Sequence, residues 1–148
     1  MTDAPVATVL APGPAVSGPI LRLTAPLSFW GGVDPVTGRI TDIRHPEHGQ
    51  CVAGTILMVP ETRGSSSSSS IMLELIRAGA APAALVLDRV DAILVLGILV
   101  AREMGLAHPP AYRLPRAAMA ELAGIAGIAA LDRQGRITCL DALPEQPT

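Results

Sequence analysis

Arg63-Gly64 followed by six consecutive serines, Ser65–Ser70, is the densest group of reactive side chains in the sequence. A serine hydroxyl beside a fixed positive charge can take a proton, because that charge stabilises the alkoxide. The neighbours say where this would happen. "CVAGTILMVP" (Cys51–Pro60) reads as a buried strand closed by Pro60, and "IMLELIRAG" (Ile71–Gly79) as an amphipathic helix with a glycine C-cap. Strand, Arg-Gly, serines and helix in that order place free N–H groups and the positive end of a helix dipole at a strand's carboxyl edge. A carboxylate or phosphate suits that position. Gly64 allows close backbone approach, Arg63 supplies charge, and Ser65, Ser66 and Ser67 supply hydroxyls.

Two plainer readings compete. A Ser-rich linker would separate domains, yet a strand ends just before the run and a helix begins at once. N-capping is expected of one or two of these hydroxyls, but a cap needs one serine. Two known serine and glycine motifs are excluded. G-x-S-x-G is absent, and a phosphate-binding P-loop needs a lysine that does not follow Gly64.

A second group lies in "SFWGGVDPVTGRITDIRHPEHGQ". Trp30, Gly31, Gly32 and Asp34 are candidate substrate contacts, since an aromatic beside two glycines can cover a small ring. Turn chemistry explains the glycines and Asp34 equally well. His45 and His48 lack further metal ligands nearby and read as a solvated loop or a partner interface. Arg44 and Glu47 read as surface charges. Cys51 and Cys139 form no CxxC or Cys/His cluster, so no metal site is expected from this chain alone.

The elements that must hold these residues follow from pattern. In a chain of 148 residues with net charge −2, one domain is expected, without a basic run for nucleic acid or an anionic membrane. Residues 1–14 look loosely attached, residues 15–143 form the domain, and residues 144–148 a tail. "AVSGPILRLTAPLSF" is strand-like, but Pro19 and Pro26 make it an edge element. "RITDI" reads as a short strand. Further on come a strand at Pro82–Asp88 and a helix at Asp91–Met104. A strand in "PAYRL" and a helix opening at Pro115 follow, then a hairpin turning at Gln134-Gly135. The apolar run Ala92–Ala101 is too short to cross a bilayer and no secretory signal opens the chain, so a cytoplasmic location is expected. Alternating strands and helices after a β-rich start give an α/β or β/β/α domain with a partly parallel sheet and flanking helices.

From about Gly18 to Pro115, "PLSFWGGVDPVTGRITD", "RHPEHGQCVAGTILMVP", "RGSSSSSSIMLELIRAGAAPAALVL" and "DAILVLGILVARE" resemble the small subunit of the aconitase X dehydratases. That resemblance implies the swivelling β/β/α domain of aconitase, closing over a large subunit that holds an iron–sulfur cluster. It implies dehydration of cis-3-hydroxy-L-proline to Δ1-pyrroline-2-carboxylate, or of mevalonate 5-phosphate in archaea. The Ala/Pro/Arg-rich composition and "SFWGG" resemble the bacterial form, for which the resemblance implies the proline substrate; a phosphorylated one would favour more basic residues near the serines than Arg63 alone. The family's proton acceptor, the serine after the glycine, falls on Ser65; a one-residue shift would put Ser66 in the same space. Where the family often has serine, this chain has Cys51. A non-catalytic anion-binding or regulatory swivelling module is the alternative from another class.

Overall fold

The computed structural model describes residues 5–64, 66–125 and 127–145. Its strands are β1 (Thr8–Ala11), β2 (Val16–Arg22), β3 (Ile56–Val59), β4 (Ala84–Leu87), β5 (Ala111–Arg113), β6 (Ile128–Leu131) and β7 (Ile137–Leu140). Its helices are α1 (Phe29–Gly32, a single irregular turn), α2 (Ser68–Ala78), α3 (Ala92–Glu103) and α4 (Arg116–Ile125). The strands pair in the order β1-β5-β4-β3-β2-β6-β7. The middle run β2, β3, β4 and β5 is parallel, and β1, β6 and β7 are antiparallel to their neighbours. This is the expected α/β domain with a partly parallel sheet.

β3 and β4 are apolar at every position because both of their faces are covered. Ile56, Met58, Ala84 and Val86 join Tyr112, Met119 of α4 and Ile137 in one core. Leu57, Val59, Leu85 and Leu87 join α2, α3 and the long segment after β2 in the other. A bridge between Val6 and Arg136, with bonds from Ala7 N–H to Gly135 O (2.8 Å) and from Ile137 N–H to Pro5 O (3.0 Å), brings the two outer strands together at one end. The sheet therefore curls round the first core. Tyr112 lies in it with its hydroxyl donating to Asp132 O (3.1 Å); burial first, and then the Asp132 carboxylate, holds the phenol above its usual value.

Helix ends follow sequence punctuation. Gly79 closes α2 in the left-handed conformation (φ 71°). Asp91 caps α3 by accepting from the N–H groups of Ile93 (3.0 Å) and Leu94 (3.1 Å). α3 buries Leu94, Val95 and Ile98 but leaves Ile93, Leu96 and Val100 exposed, so only part of that apolar helix is core.

Three expectations are corrected. β2 is interior, between β3 and β6, despite Pro19. Pro19 ends the antiparallel pairing with β6 (Pro19 opposite Ile128), and Ile20 N–H still donates to Gly127 O (2.7 Å) on that side. The missing Pro19 donor faces the other side, ahead of the first pair with β3 at Ile20–Ile56, where no ladder bond is lost. The stretch expected to be loose contains β1, paired with β5, with Ala7 and Ala11 buried. "RITDI" is no strand: Arg39 and Ile40 make only isolated bridges, to Cys51 and Val33.

α2 and α3 pack so closely that a Cβ on Gly97 would lie 2.5 Å from Ser69 O and 3.0 Å from Met72 Cβ. Gly97→Ala is expected to lose about 1–3 kcal/mol through overpacking, although Ala is the better helix former by about 1 kcal/mol. Urea unfolding checks this: an unchanged or raised midpoint would mean that the helices do not meet this tightly.

Candidate functional site

The chain running from β3 to α2 is anchored on both sides before it reaches the serines. Leu27 N–H donates to Glu61 O (3.2 Å) and Arg63 N–H to Leu27 O (2.9 Å), a short parallel bridge beside the end of β2. Thr62 Oγ1 donates to Asp91 Oδ2 (2.6 Å), using the carboxylate oxygen that the α3 cap leaves over. Ser65 lies outside the described residues. Ser66 and Ser67 form the turn into α2, Ser68 is buried in its first turn, and Ser69 Oγ donates to Ser66 O (3.3 Å). The expected hydroxyl cap is not made at the N-cap: Ser67 has helical angles there (φ −78°, ψ −8°) and makes no side-chain capping bond. Among the described residues a Cβ on Gly64 would meet nothing within 4 Å, so their packing does not demand glycine there.

A cleft of about 280 Å³ opens at the carboxyl ends of β2 and β3, the place where open α/β sheets bind ligands. One wall is the chain leaving β2, with Ala25, Pro26 and Ser28; the other is the turn carrying Asp42, Arg44 and His45. Arg63 completes the lining and is exposed, as is Arg44. Two arginines against one carboxylate, Asp42, with the Ser28 hydroxyl beside them, leave this small cleft net positive and suited to an anionic, hydrogen-bonding ligand. Sequence reasoning found Arg63 and missed Ser28, Asp42 and Arg44. No local signal marks them, because the walls come together only through tertiary contacts.

His45 and Glu47 overturn the expectation of a solvated loop. Both are buried. His45 Nε2 lies 3.0 Å from Ala25 O, and Glu47 Oε1 accepts from Thr24 N–H (2.9 Å) and Thr24 Oγ1 (2.8 Å). The segment after β2 lacks a strand partner at these residues, and the two side chains supply its hydrogen bonds. His48 is exposed in the same turn.

Trp30, Gly31, Gly32 and Asp34 lie on the turn after Ser28 and are not among the cleft's lining residues. Trp30 is 58% exposed. Gly31 takes φ 77°, which favours glycine, and its carbonyl accepts from Thr41 Oγ1 (3.3 Å). Asp34 caps its own turn, Oδ1 accepting from the N–H groups of Val36 (2.8 Å) and Thr37 (3.4 Å). The Val36 N–H first, helped by Thr37 and opposed by desolvation, holds the carboxyl below its ordinary value.

Among the described residues no three His, Cys, Asp or Glu side chains come together to hold a metal ion. Cys51 and Cys139 are free thiols, and Cys51 Sγ donates to Thr37 O (3.2 Å). The donor set of an iron–sulfur cluster is not found on the described part of this chain. No described helix is long and apolar enough to cross a membrane.

Residues 6–138 match the aconitase X swivel domain family. The chain belongs to that family. Over 88 residues it is 46% identical to a cis-3-hydroxy-L-proline dehydratase of Hypocrea jecorina, covering 60% of this chain and 15% of that protein. Over 84 residues it is 40% identical to a phosphomevalonate dehydratase small subunit of Methanothermobacter thermautotrophicus, covering 57% of this chain and 64% of that one. The chain thus spans less than two thirds of the length of either relative. The crystal structure of Thermococcus kodakaraensis aconitase X in its holo form has the same fold, with TM-score 0.75 at 26% identity over 93% of this chain and 99% of that one. In this swivel domain the cleft, the Arg63 loop and the start of α2 share one end of the sheet.

The Asp34 turn yields a pH prediction. Its folded value lies below its unfolded one, so its stabilisation is complete above the ordinary carboxylate range and is lost as pH falls through the folded value. Carbon-13 titration of the Asp34 carboxyl should give a midpoint below 3.8. A midpoint at or above that value would mean that the Val36 and Thr37 bonds are not made in solution.

Proposed function

We propose that this chain is the small subunit of a cytoplasmic aconitase X-type dehydratase, active only with a large subunit. Its substrate on this reading is cis-3-hydroxy-L-proline, and the product is Δ1-pyrroline-2-carboxylate. The observation that carries the reading is Arg63. In a swivel-domain chain it lines a cleft at the carboxyl ends of β2 and β3, just ahead of the serines that lead into α2. The relative that is 46% identical bears the name of this reaction.

The chemistry asks little of this chain, and all of it from the loop before α2. Ser65, as its alkoxide, takes the proton from the ring carbon that bears the carboxylate. The released electron pair forms the carbon–carbon double bond as the hydroxyl on the neighbouring carbon leaves. The resulting enamine tautomerises to the cyclic imine, so the sum is loss of one water. Arg63 and the positive end of α2 stabilise the alkoxide before the proton arrives. Arg63 and the N–H groups beside Gly64, Ser66 and Ser67 hold the carboxylate. The iron–sulfur cluster of this reading belongs to the large subunit and, when bound there, would supply the Lewis acid that the departing hydroxyl needs. Trp30, Gly31, Gly32 and Asp34 form an outer turn that can close over the ring or meet the large subunit.

Mevalonate 5-phosphate is the second reading, and one observation favours it. Arg44 lines the same cleft as Arg63, so the local basic charge exceeds what the residues next to the serines indicate. Turnover of both compounds by the chain purified with its large subunit decides between them. If neither is dehydrated, the chain is an anion-binding or regulatory module and the enzymatic reading is lost.

In the assembled enzyme, Ser65→Ala is expected to lower kcat by about 10²–10⁴-fold. Retained activity would remove the base assignment and pass it to Ser66→Ala. Gly64→Ala should leave the thermal midpoint unchanged, because its Cβ meets none of the described residues, while catalysis falls. A stability loss with normal turnover would make Gly64 a folding residue instead.

A further inference from the structure

Glu47 is a buried acid that the proposed chemistry does not use. Its Oε1 receives both Thr24 bonds, whereas Oε2 is buried with no hydrogen-bond donor and faces His45 Nδ1 at 3.1 Å. Nδ1 in turn accepts the Glu47 N–H (3.1 Å). Since a carbonyl oxygen can only accept, His45 Nε2 carries the hydrogen that it donates to Ala25 O. The backbone N–H of Glu47 thus orients the His45 ring, its Oε1 holds Thr24, and the ring holds Ala25.

These contacts span the cleft's two walls. Leu23 N–H is bonded to Met58 O and Leu27 N–H to Glu61 O, but Thr24 N–H and Ala25 O between them depend on side chains from the opposite wall. We propose that Glu47 is a positioning residue: by holding Thr24 with its carboxylate, beside the His45–Ala25 bond, it sets the spacing of the two cleft walls, and hence the fit of an anionic substrate between Ser28, Arg44 and Arg63. It touches no substrate itself. The proposal rests on the dehydratase reading only for its kinetic assay.

With the large subunit present, Glu47→Leu should raise KM about tenfold while kcat per folded enzyme changes less than about threefold. Glu47→Gln should restore KM, because its carbonyl can accept from Thr24 and its amide can face His45 Nδ1 as a donor. A merely structural role would lower the folded fraction and leave KM alone in both variants; that result overturns the proposal. Amide hydrogen exchange of the full chain needs no substrate. Thr24 should exchange about tenfold faster in Glu47→Leu, with α2 unchanged, and unaltered exchange at Thr24 also overturns the proposal. An inactive wild-type assembly with faster Thr24 exchange in the variant would remove the dehydratase reading and keep the clamp.

Discussion

The Ser69 carbonyl oxygen and the α-carbon of Gly97 leave no space for a side chain between α2 and α3. That contact of backbone against backbone locates the first turn of α2, and everything at the candidate site is placed relative to it. A bulkier crossing would push α2 outward and carry Ser66 and Ser67 away from Arg63. The Thr62–Asp91 bond adds a second tie, from the loop to the cap of α3. Part of the serine run is thereby explained without chemistry. Ser68–Ser70 are helical, and Ser68 is buried, where a small side chain suits a tight helix pair. The positions left for chemistry are those nearest Arg63 and Gly64.

The cleft itself follows from a change of partner along β2. Its first residues run antiparallel to β6 and its last ones parallel to β3. Parallel pairing sets the carboxyl ends of β2 and β3 side by side, so the chain leaving one lies next to the chain leaving the other. The Leu27–Thr62 bridge prolongs that adjacency for a few residues. Pro19 is tolerated at the handover because neither neighbour needs its missing donor. An antiparallel β2–β3 pair would put residues 23–28 at the opposite end of the sheet from Arg63, and no common cleft would exist.

Much of this architecture was legible in the residues, for identifiable reasons. Asp91, Gly79 and Pro115 mark helix ends through local hydrogen bonding and backbone freedom. β3 and β4 announce themselves as unbroken apolar runs. What escaped depends on partners distant in the chain. A proline at a change of strand partner reads like a proline at an edge. β1 is short, and only its pairing with β5 shows that Ala11 is interior. Glu47 and His45 look like any charged turn until Thr24 and Ala25 are seen to need their hydrogen bonds. Arg44 reaches the Arg63 cleft by the same long-range route. The Arg-Gly-Ser sequence pointed to the end of the sheet where the Arg63 cleft opens, whereas the opposite wall could not be read from local pattern.

Fold and chemistry can be separated residue by residue at this end of the domain. Asp34, Gly31, Glu47, Asp91 and Thr62 each satisfy a backbone or cap requirement, and replacing them disturbs a contact within the chain. Arg63, Arg44, Gly64 and Trp30 are different. The two arginines are exposed around one cleft, Gly64 has open space where a side chain would go, and Trp30 displays most of its surface although aromatics are scarce here. Packing among the described residues gives no reason for those residue types. All four lie on segments that follow β2 or β3 at their carboxyl ends. On the proposed reading their requirements come from what meets that end of the sheet, where Arg44 and Arg63 outnumber the one carboxylate, Asp42, around the cleft.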